Sequence, residues 1–152
     1  MPTPPQSHRL RIGRYSEENR LYLITLATLE RQPLFQDWPT ARPIINALKK
    51  AQQTGEADSL CWVIMPDHLH WLIELHLEDL PKVIGRMKSR STVNLNRHLQ
   101  RTGPLWQKGF HDRALRRDED VKAVARYIIA NPLRAGLVKK LGQYSMWDAI
   151  WV

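Results

Sequence analysis

Hydrophobic and polar positions along the chain follow two periods, which predict strands and helices in a regular order. Alternating or β-branched runs indicate strands, and apolar residues three and four apart indicate helices. The predicted strands are 21–28, 60–65, 69–75 and 110–115. The predicted helices are 40–54, 81–98 and a last one from 118–120 to about 130. This β-α-β-β-α-β order followed by a helix is typical of a ferredoxin-like α+β fold, an antiparallel sheet with two helices on one face.

The predicted helix 81–98 has one apolar face and one basic stripe. At 100° per residue, its apolar side is formed by Leu80, Val83, Ile84, Met87, Ser91 and Leu95. The neighbouring stripe is formed by Lys82, Arg86, Arg90 and Arg97. We expect one side of this helix to be buried in the core and the other side to contact a partner with regularly spaced negative charges.

Chain length predicts one domain. The 152 residues, 43% of them hydrophobic, suffice for one core but not for two. We assign residues 15–152 to this domain and residues 1–14, rich in proline and arginine, to a flexible basic arm. Beyond Leu133 the pattern is weak, and Trp147 and Trp151 are the candidates there for packing back on the body.

The cysteine content and the apolar runs indicate a cytoplasmic protein. A single cysteine, Cys61, excludes a disulfide within the chain and a cysteine-based zinc site. The N-terminus lacks the apolar core of a signal peptide, and the longest apolar run, 21–29, is too short to cross a bilayer. We therefore expect no membrane partner.

The charge distribution points to nucleic acid. The chain carries a net charge of +8, and residues 82–117 contain ten Lys or Arg against one acidic residue, Asp112. A solvated basic face without a partner is the alternative. We expect the arm between Arg9 and Arg14 to discriminate between DNA hairpins and the helix stripe to contact phosphates. The expected DNA contacts are Arg11, Arg14, Lys82, Arg86, Arg90, Arg97, Trp106, Arg113, Arg116 and Arg134.

Two histidines at the start of the strand 69–75 are candidate metal ligands. Pro66 and Asp67 form the preceding turn, and His68 and His70, two positions apart, project from the same face of a strand. Both imidazoles can therefore reach one cation, although a His-x-His pair also occurs by chance on partly exposed strands. His76 is about 20 Å of strand away from His70 and is rejected as a third ligand, as is Glu74.

Tyr127 is the candidate nucleophile. Val124 and Ile128 place it at the border of an apolar helix face, so its ring can be held while its hydroxyl reaches a site. Asn131 follows at i+4, on the same side of the helix. A phenol with a pKa of about 10 is a weak nucleophile, so attack on a phosphodiester needs a cation at the phosphate. Core packing of Tyr127 and a helix-ending role of Asn131 before Pro132 remain alternatives.

Three segments resemble the single-tyrosine HUH transposases, and within them the REP-associated tyrosine transposases. They are MPDHLHWLI at 65–73, LWQKGFHDRALR at 105–116 and ARYIIANPLRAGLV at 125–138. The resemblance implies a single-stranded DNA endonuclease and strand transferase that recognises repeat hairpins and uses Mg²⁺ or Mn²⁺. It also implies that His68 and His70 bind the metal, that Tyr127 forms a 5′-phosphotyrosine, and that Asn131, where insertion-sequence relatives usually carry Gln, supplies a third ligand directly or through water.

Two other functions stay open. Ferredoxin-like sheets also form non-catalytic nucleic-acid-binding modules, although the run of glycine and aromatic residues typical of RNA-binding sheets is absent from this chain. A metal-dependent phosphodiesterase that uses water would need the same histidines without the tyrosine. The resemblance allows a monomer or a homodimer, and two imidazoles by themselves suit zinc or manganese better than magnesium.

Overall fold

The computed structural model describes residues 20–116 and 119–151, which form one five-stranded sheet and four α-helices. The strands are β1 (Arg20–Ala27), β2 (Ala57–Met65), β3 (His68–Leu75), β4 (His111–Ala114) and β5 (Trp147–Ala149). The helices are α1 (Trp38–Gln53), α2 (Leu80–Leu99), α3 (Val121–Ile129) and the short α4 (Asn131–Arg134). Single turns of 3₁₀-helix lie at Leu29–Arg31 and Leu141–Gln143.

The sheet has the strand order β4-β1-β3-β2-β5, and every neighbouring pair is antiparallel. The first four strands in this order, with α1 and α2 as their connections, form the ferredoxin-like arrangement that the hydrophobic pattern predicts. Strand β5 is an addition that pairs with β2 from Cys61↔Ala149 to Val63↔Trp147. It lies in the segment after Leu133, for which the pattern predicts no element.

The two faces of the sheet carry different layers of the molecule. On β3, Leu69, Trp71, Ile73 and Leu75 are buried in the cluster that includes the apolar faces of α1 and α2. Leu72, from the other face, packs with Ala125, Ile128 and Ile129 of α3. Because strand side chains alternate, His68 and His70 share the face of Leu72. The helix that carries Tyr127 therefore covers the same face as the two histidines.

Local sequence signals explain where the helices begin and end. Asp37 and Thr40 form a capping box in which the Thr40 backbone N–H donates to Asp37 Oδ1 at 3.1 Å, so α1 begins two residues earlier than predicted. Gln100, with a left-handed φ of 53°, ends α2. Asp120 caps α3 by accepting from the Ala123 N–H at 3.1 Å.

Two expectations concern the N-terminal arm and membrane-spanning helices. The arm predicted at residues 1–14, with Arg11 and Arg14, and Tyr15 lie outside the described residues. Within the described part, no helix combines the length and the apolar character that crossing a bilayer requires.

Candidate active site

The two histidines lie next to each other at the beginning of β3. Their ring centroids are 4.8 Å apart, and the rings meet edge to face. His68 pairs with Ala27 of β1, and His70 pairs with Thr25. Both histidines therefore lie at one end of the central strand of the sheet. The strand geometry that the sequence predicts for this pair is therefore present.

Each histidine makes a hydrogen bond through Nδ1. His68 Nδ1 lies 2.7 Å from Asp67 Oδ1, and His70 Nδ1 lies 3.1 Å from Thr25 Oγ1. A carboxylate only accepts, so the hydrogen of neutral His68 is on Nδ1 and the lone pair is on Nε2. The Thr25 hydroxyl can accept from His70 Nδ1 in the same way. In these tautomers both Nε2 atoms carry a lone pair that could coordinate a cation.

Burial and nearby positive charge keep His70 in the neutral form that a metal ligand requires. Burial, followed by the positive charges of His68 and Arg134, lowers the pKa of His70 to about 4, so its imidazole is neutral at pH 7. Burial would raise the pKa of the Asp67 carboxyl, but the hydrogen bonds from His68 and Arg31 outweigh it and lower the pKa below its usual value. Asp67 is therefore a carboxylate at neutral pH.

Tyr127 is the exposed tyrosine among those in the described residues. It is 66% exposed, whereas its neighbour Ile128 is buried in the core under α3. Tyr22 is fully buried, and Tyr144 is buried with its hydroxyl donating to the Ile64 carbonyl. Burial raises the pKa of Tyr144 to about 12, which makes it a still poorer nucleophile. Among these three tyrosines of the described residues, Tyr127 is the one that a DNA strand can reach.

Arg134 contacts both Tyr127 and Asn131. Its guanidinium carbon lies 3.9 Å from the centroid of the Tyr127 ring, and its Nη2 donates to Asn131 Oδ1. The same positive charge contributes to the low pKa of His70. Asn131 begins α4, after the bend at Ala130 that separates it from α3. Arg134 therefore holds Tyr127 and Asn131 together, on the sheet face that also carries the histidines.

The side chains at this end could hold a divalent cation only if it took part of its coordination from outside the protein. Among residues 20–116 and 119–151, no group of three His, Cys, Asp or Glu could hold a metal ion. The two imidazoles could supply two protein donors, and Asn131 Oδ1, which accepts from Arg134, would have to share or give up that hydrogen bond to supply a third. Manganese accepts such a mixed set more readily than magnesium.

The predicted basic stripe of α2 is largely paired with acidic residues. Arg86 Nη1 lies 2.8 Å from Glu78 and 3.2 Å from Glu56, and Arg90 Nη1 lies 3.6 Å from Glu56. Lys82 is 4.0 Å from Asp79. Arg97 is exposed. The stripe belongs to the helix layer on the sheet face opposite α3, so it does not join the histidine site.

The remaining candidate DNA contacts lie near β4. Arg113 makes two hydrogen bonds to the Glu119 carboxylate, at 2.8 and 2.9 Å, and Arg116 is exposed while its backbone N–H donates to the same carboxylate. Arg113 pairs with Leu23, so its side chain is on the same face as His70.

The expectation that Trp106 contacts DNA is wrong. Trp106 is 5% exposed, its ring packs against Phe35 at 5.5 Å between centroids, and its Nε1–H donates to Ser91 Oγ at 3.0 Å. Both the apolar ring and its polar atom are satisfied inside the protein, which leaves no face on which a base could stack. Trp106 is a core residue that connects the segment before β4 to α2.

Three residues around the histidines were not singled out by sequence reasoning. Asp67 and Thr25 hold the two imidazoles, and Arg31 Nε donates to Asp67 Oδ2 at 2.9 Å. A signal for Asp67 was present, because a carboxylate directly before a candidate ligand can bond its free ring nitrogen. Thr25 and Arg31 have no such local signal, since they approach the histidines from another part of the chain.

Comparisons with known proteins agree with this geometry. The chain matches the family model described as "Transposase IS200 like" over residues 17–131. A Haemophilus influenzae protein assigned to the REP-associated tyrosine transposases is 30% identical over 134 residues, which are 78% of this chain and 73% of that protein. An Escherichia coli K12 REP-associated tyrosine transposase is 25% identical over 101 residues, or 65% of this chain. The match spans 58% of the E. coli protein's length.

Among solved structures, a REP-associated tyrosine transposase bound to a REP hairpin has the same fold. It superposes with a TM-score of 0.71 at 23% identity, covering 88% of this chain and 79% of the other. The family match includes both β3, with its two histidines, and α3, with Tyr127, and it ends at Asn131. The chain belongs to the IS200-like transposase family, in the branch of the REP-associated tyrosine transposases.

Proposed function

We propose that this protein nicks and rejoins single-stranded DNA at repeat hairpins through a 5′-phosphotyrosine on Tyr127, assisted by Mg²⁺ or Mn²⁺ at His68 and His70. The observation that carries the proposal is the contact of Arg134 with both Tyr127 and Asn131, on the sheet face that carries the paired histidines. An exposed tyrosine on the sheet face that carries two imidazoles, one of them kept neutral by burial, suits transesterification at a phosphodiester.

The proposed reaction exchanges one phosphodiester for another. The Tyr127 oxygen attacks the scissile phosphorus and loses its proton to solvent, while the bond from phosphorus to the 3′ oxygen of the preceding nucleotide breaks. The products are a 5′-phosphotyrosine and a free 3′-hydroxyl. A later attack by a DNA 3′-hydroxyl on the phosphotyrosine rejoins the strands without an external energy source, because the phosphoester bond is kept throughout.

The chain's own residues have distinct tasks in this reaction. His68 and His70 would hold the cation through Nε2, and Asn131 would add its amide oxygen directly or through water. When bound, the cation would offset the charge of the non-bridging phosphate oxygens. Arg134 adds a fixed positive charge beside the Tyr127 ring, where the anionic phosphate has to approach.

The substrate is proposed from chemistry and from relatives. The net charge of +8 suits a polyanion. The relatives above are REP-associated tyrosine transposases, and one of them is bound to a REP hairpin in its solved structure. We propose the same substrate class for this chain, and action at chromosomal repeats implies a cytoplasmic, nucleoid-associated protein. Light scattering would distinguish a monomer from a homodimer.

A denaturing gel tests the proposal. A hairpin-containing oligonucleotide labelled at its 3′ end is incubated with protein and Mn²⁺. We expect a labelled protein adduct, whereas a 5′ label should give a shorter free strand, and EDTA should abolish both products. Tyr127→Phe should form no adduct, while Tyr144→Phe, which alters a buried tyrosine, should retain it. Cleavage without an adduct would indicate a phosphodiesterase, and binding without either product would indicate a non-catalytic module.

A further inference from the structure

The turn after β1 has an unusual backbone. Glu30 and Arg31 have positive φ angles of 57° and 55°. This is a left-handed backbone conformation that residues other than glycine rarely adopt. Two such residues in succession are unfavourable, so the surrounding structure must hold the turn in place. Neither residue is Gly, Asn or Asp, the types that most readily accept this conformation.

Neighbouring strands and loops fix this turn against the turn before β3. Thr28, which is fully buried, donates its backbone N–H to the Asp67 carbonyl at 3.0 Å. The Leu29 N–H donates to the Leu105 carbonyl at 2.9 Å, and the Phe35 N–H donates to the Pro66 carbonyl at 3.0 Å. The segment around Arg31 is therefore held at a fixed position relative to Asp67.

The side chains of these two turns form a continuous series of hydrogen bonds that ends at His68. Arg31 Nε donates to Asp67 Oδ2 at 2.9 Å, and His68 Nδ1 donates to Asp67 Oδ1 at 2.7 Å. Each oxygen of the carboxylate thus has its own partner. Arg31 at one oxygen restrains the carboxylate, and the other oxygen favours the orientation and tautomer in which His68 Nδ1 carries the hydrogen.

We propose that Arg31 and Asp67 are positioning residues that hold His68 with Nε2 directed at the metal, and that the left-handed turn serves to place Arg31. This inference rests on the metal-assisted chemistry proposed above. Outer partners of metal-binding histidines fix the ring and raise its basicity, and their loss typically lowers metal affinity about 10- to 100-fold. A surface ion pair without this role would affect stability but not metal binding.

The chain supplies a matched control. At the other end of the sheet, Asp58 Oδ2 lies 3.0 Å from His76 Nε2, which is a second carboxylate–histidine contact. Asp67→Asn and Asp58→Asn therefore make the same change in charge at two such contacts. Arg31→Gly provides a third variant, because glycine removes the guanidinium and also accepts the positive φ.

Two measurements on the full chain test the proposal. Titration with Mn²⁺ alone should show an affinity about 10- to 100-fold lower for Asp67→Asn, a smaller decrease for Arg31→Gly, and no change for Asp58→Asn. Long-range ¹H–¹⁵N NMR should show hydrogen on Nδ1 of His68 in the unaltered protein and a mixture of tautomers in Asp67→Asn. Arg31→Gly should unfold at about the same temperature, because relief of the left-handed φ offsets the lost ion pair and the greater entropy of the unfolded chain.

The opposite results would overturn the proposal. Asp67→Asn with unchanged Mn²⁺ affinity and unchanged His68 tautomer would contradict a positioning role, as would an Arg31→Gly variant that lost stability but kept its metal affinity. Failure of the proposed function gives a different result. In that case the unaltered protein would form no DNA adduct, yet its Mn²⁺ affinity and His68 tautomer would still depend on Asp67.

Discussion

The two ends of strand β3 contain the same kinds of residues in different arrangements. At the beginning, His68 contacts Asp67 at 2.7 Å, and beyond the end, His76 contacts Asp58 at 3.0 Å. The two contacts are about 25 Å apart along the strand, and arginine side chains lie near both of them. Residue types alone therefore do not separate a candidate active site from a structural cluster of charges.

The difference lies in the contacts and the surroundings of the two histidines. His76 contacts its carboxylate through Nε2, whereas His68 uses Nδ1. Beyond the end of β3, Glu56 and Glu78 accept from Arg86, so that its charge is neutralised inside the protein. At the beginning, a second imidazole lies beside the first histidine, and the helix with the exposed tyrosine covers the same face of the sheet. The comparison shows that the neighbouring residues, rather than local charge, distinguish the candidate site.

The largest expected difference between the two ends is the effect of removing a histidine on the rate of adduct formation. His68→Ala and His70→Ala should each lower the rate of adduct formation by more than about 100-fold, because the loss of a ligand should exceed the loss of its outer partner. His76→Ala should stay within about twofold. Quantified denaturing gels give these rates. Equal losses at both ends would remove the distinction between them.

The charged cluster at the far end should affect stability instead of chemistry. Glu56 is 6% exposed and accepts from Arg86 and Thr54, while Arg90 lies 3.6 Å away. Glu56→Ala should lower the free energy of unfolding by about 2 kcal/mol, less than the cost for a fully buried pair because both arginines are partly exposed. Urea denaturation measures this loss. A Glu56→Ala variant that folded but formed no adduct would contradict the assignment of stability to one end of β3 and of chemistry to the other.

Asn131 should have an intermediate effect on the reaction. Asn131→Ala should slow adduct formation about 10-fold if the amide acts through water, since an outer contact is then lost rather than a ligand. Asn131→Asp should retain part of the activity, because an oxygen donor remains. Single-turnover rates with Mn²⁺ compare the two variants. A loss in Asn131→Ala as large as that of His70→Ala would instead indicate direct coordination.

The sequence predicted most of the fold because its signals there are local. Alternation in β3 and the apolar face of α2 each depend on residues close together in the chain, and both predictions are confirmed. Strand β5 was missed because three residues give almost no periodic signal and the strand depends on pairing with distant β2.

The same distinction applies to the candidate site. Adjacent residues identified the pair His68 and His70, but their partners Thr25 and Arg31 come from β1 and the turn that follows it. The interpretation of Trp106 failed for this reason too, since its burial depends on Phe35 and Ser91, which are far away in sequence.

The smallest expected effect concerns DNA binding by α2. Arg97 is exposed and makes no ion pair with the described residues, whereas Arg86 is paired with two glutamates. If Arg97 contacts a phosphate, Arg97→Gln should lower the slope of log affinity against log salt by about 0.7 for single-stranded DNA, and Arg86→Gln should lower it less. Binding measured at several salt concentrations gives both slopes. Equal reductions would show that the Arg86 pairs open when DNA binds.

The central claim is that Tyr127 forms the covalent link to DNA, and mass spectrometry of the adduct tests it most directly. After nuclease treatment of the bound oligonucleotide, trypsin cleavage at Arg126 and Arg134 should release peptide 127–134. The account predicts that this peptide carries a nucleotide phosphate on Tyr127. A modified peptide containing Tyr15, Tyr22 or Tyr144 in its place would contradict it.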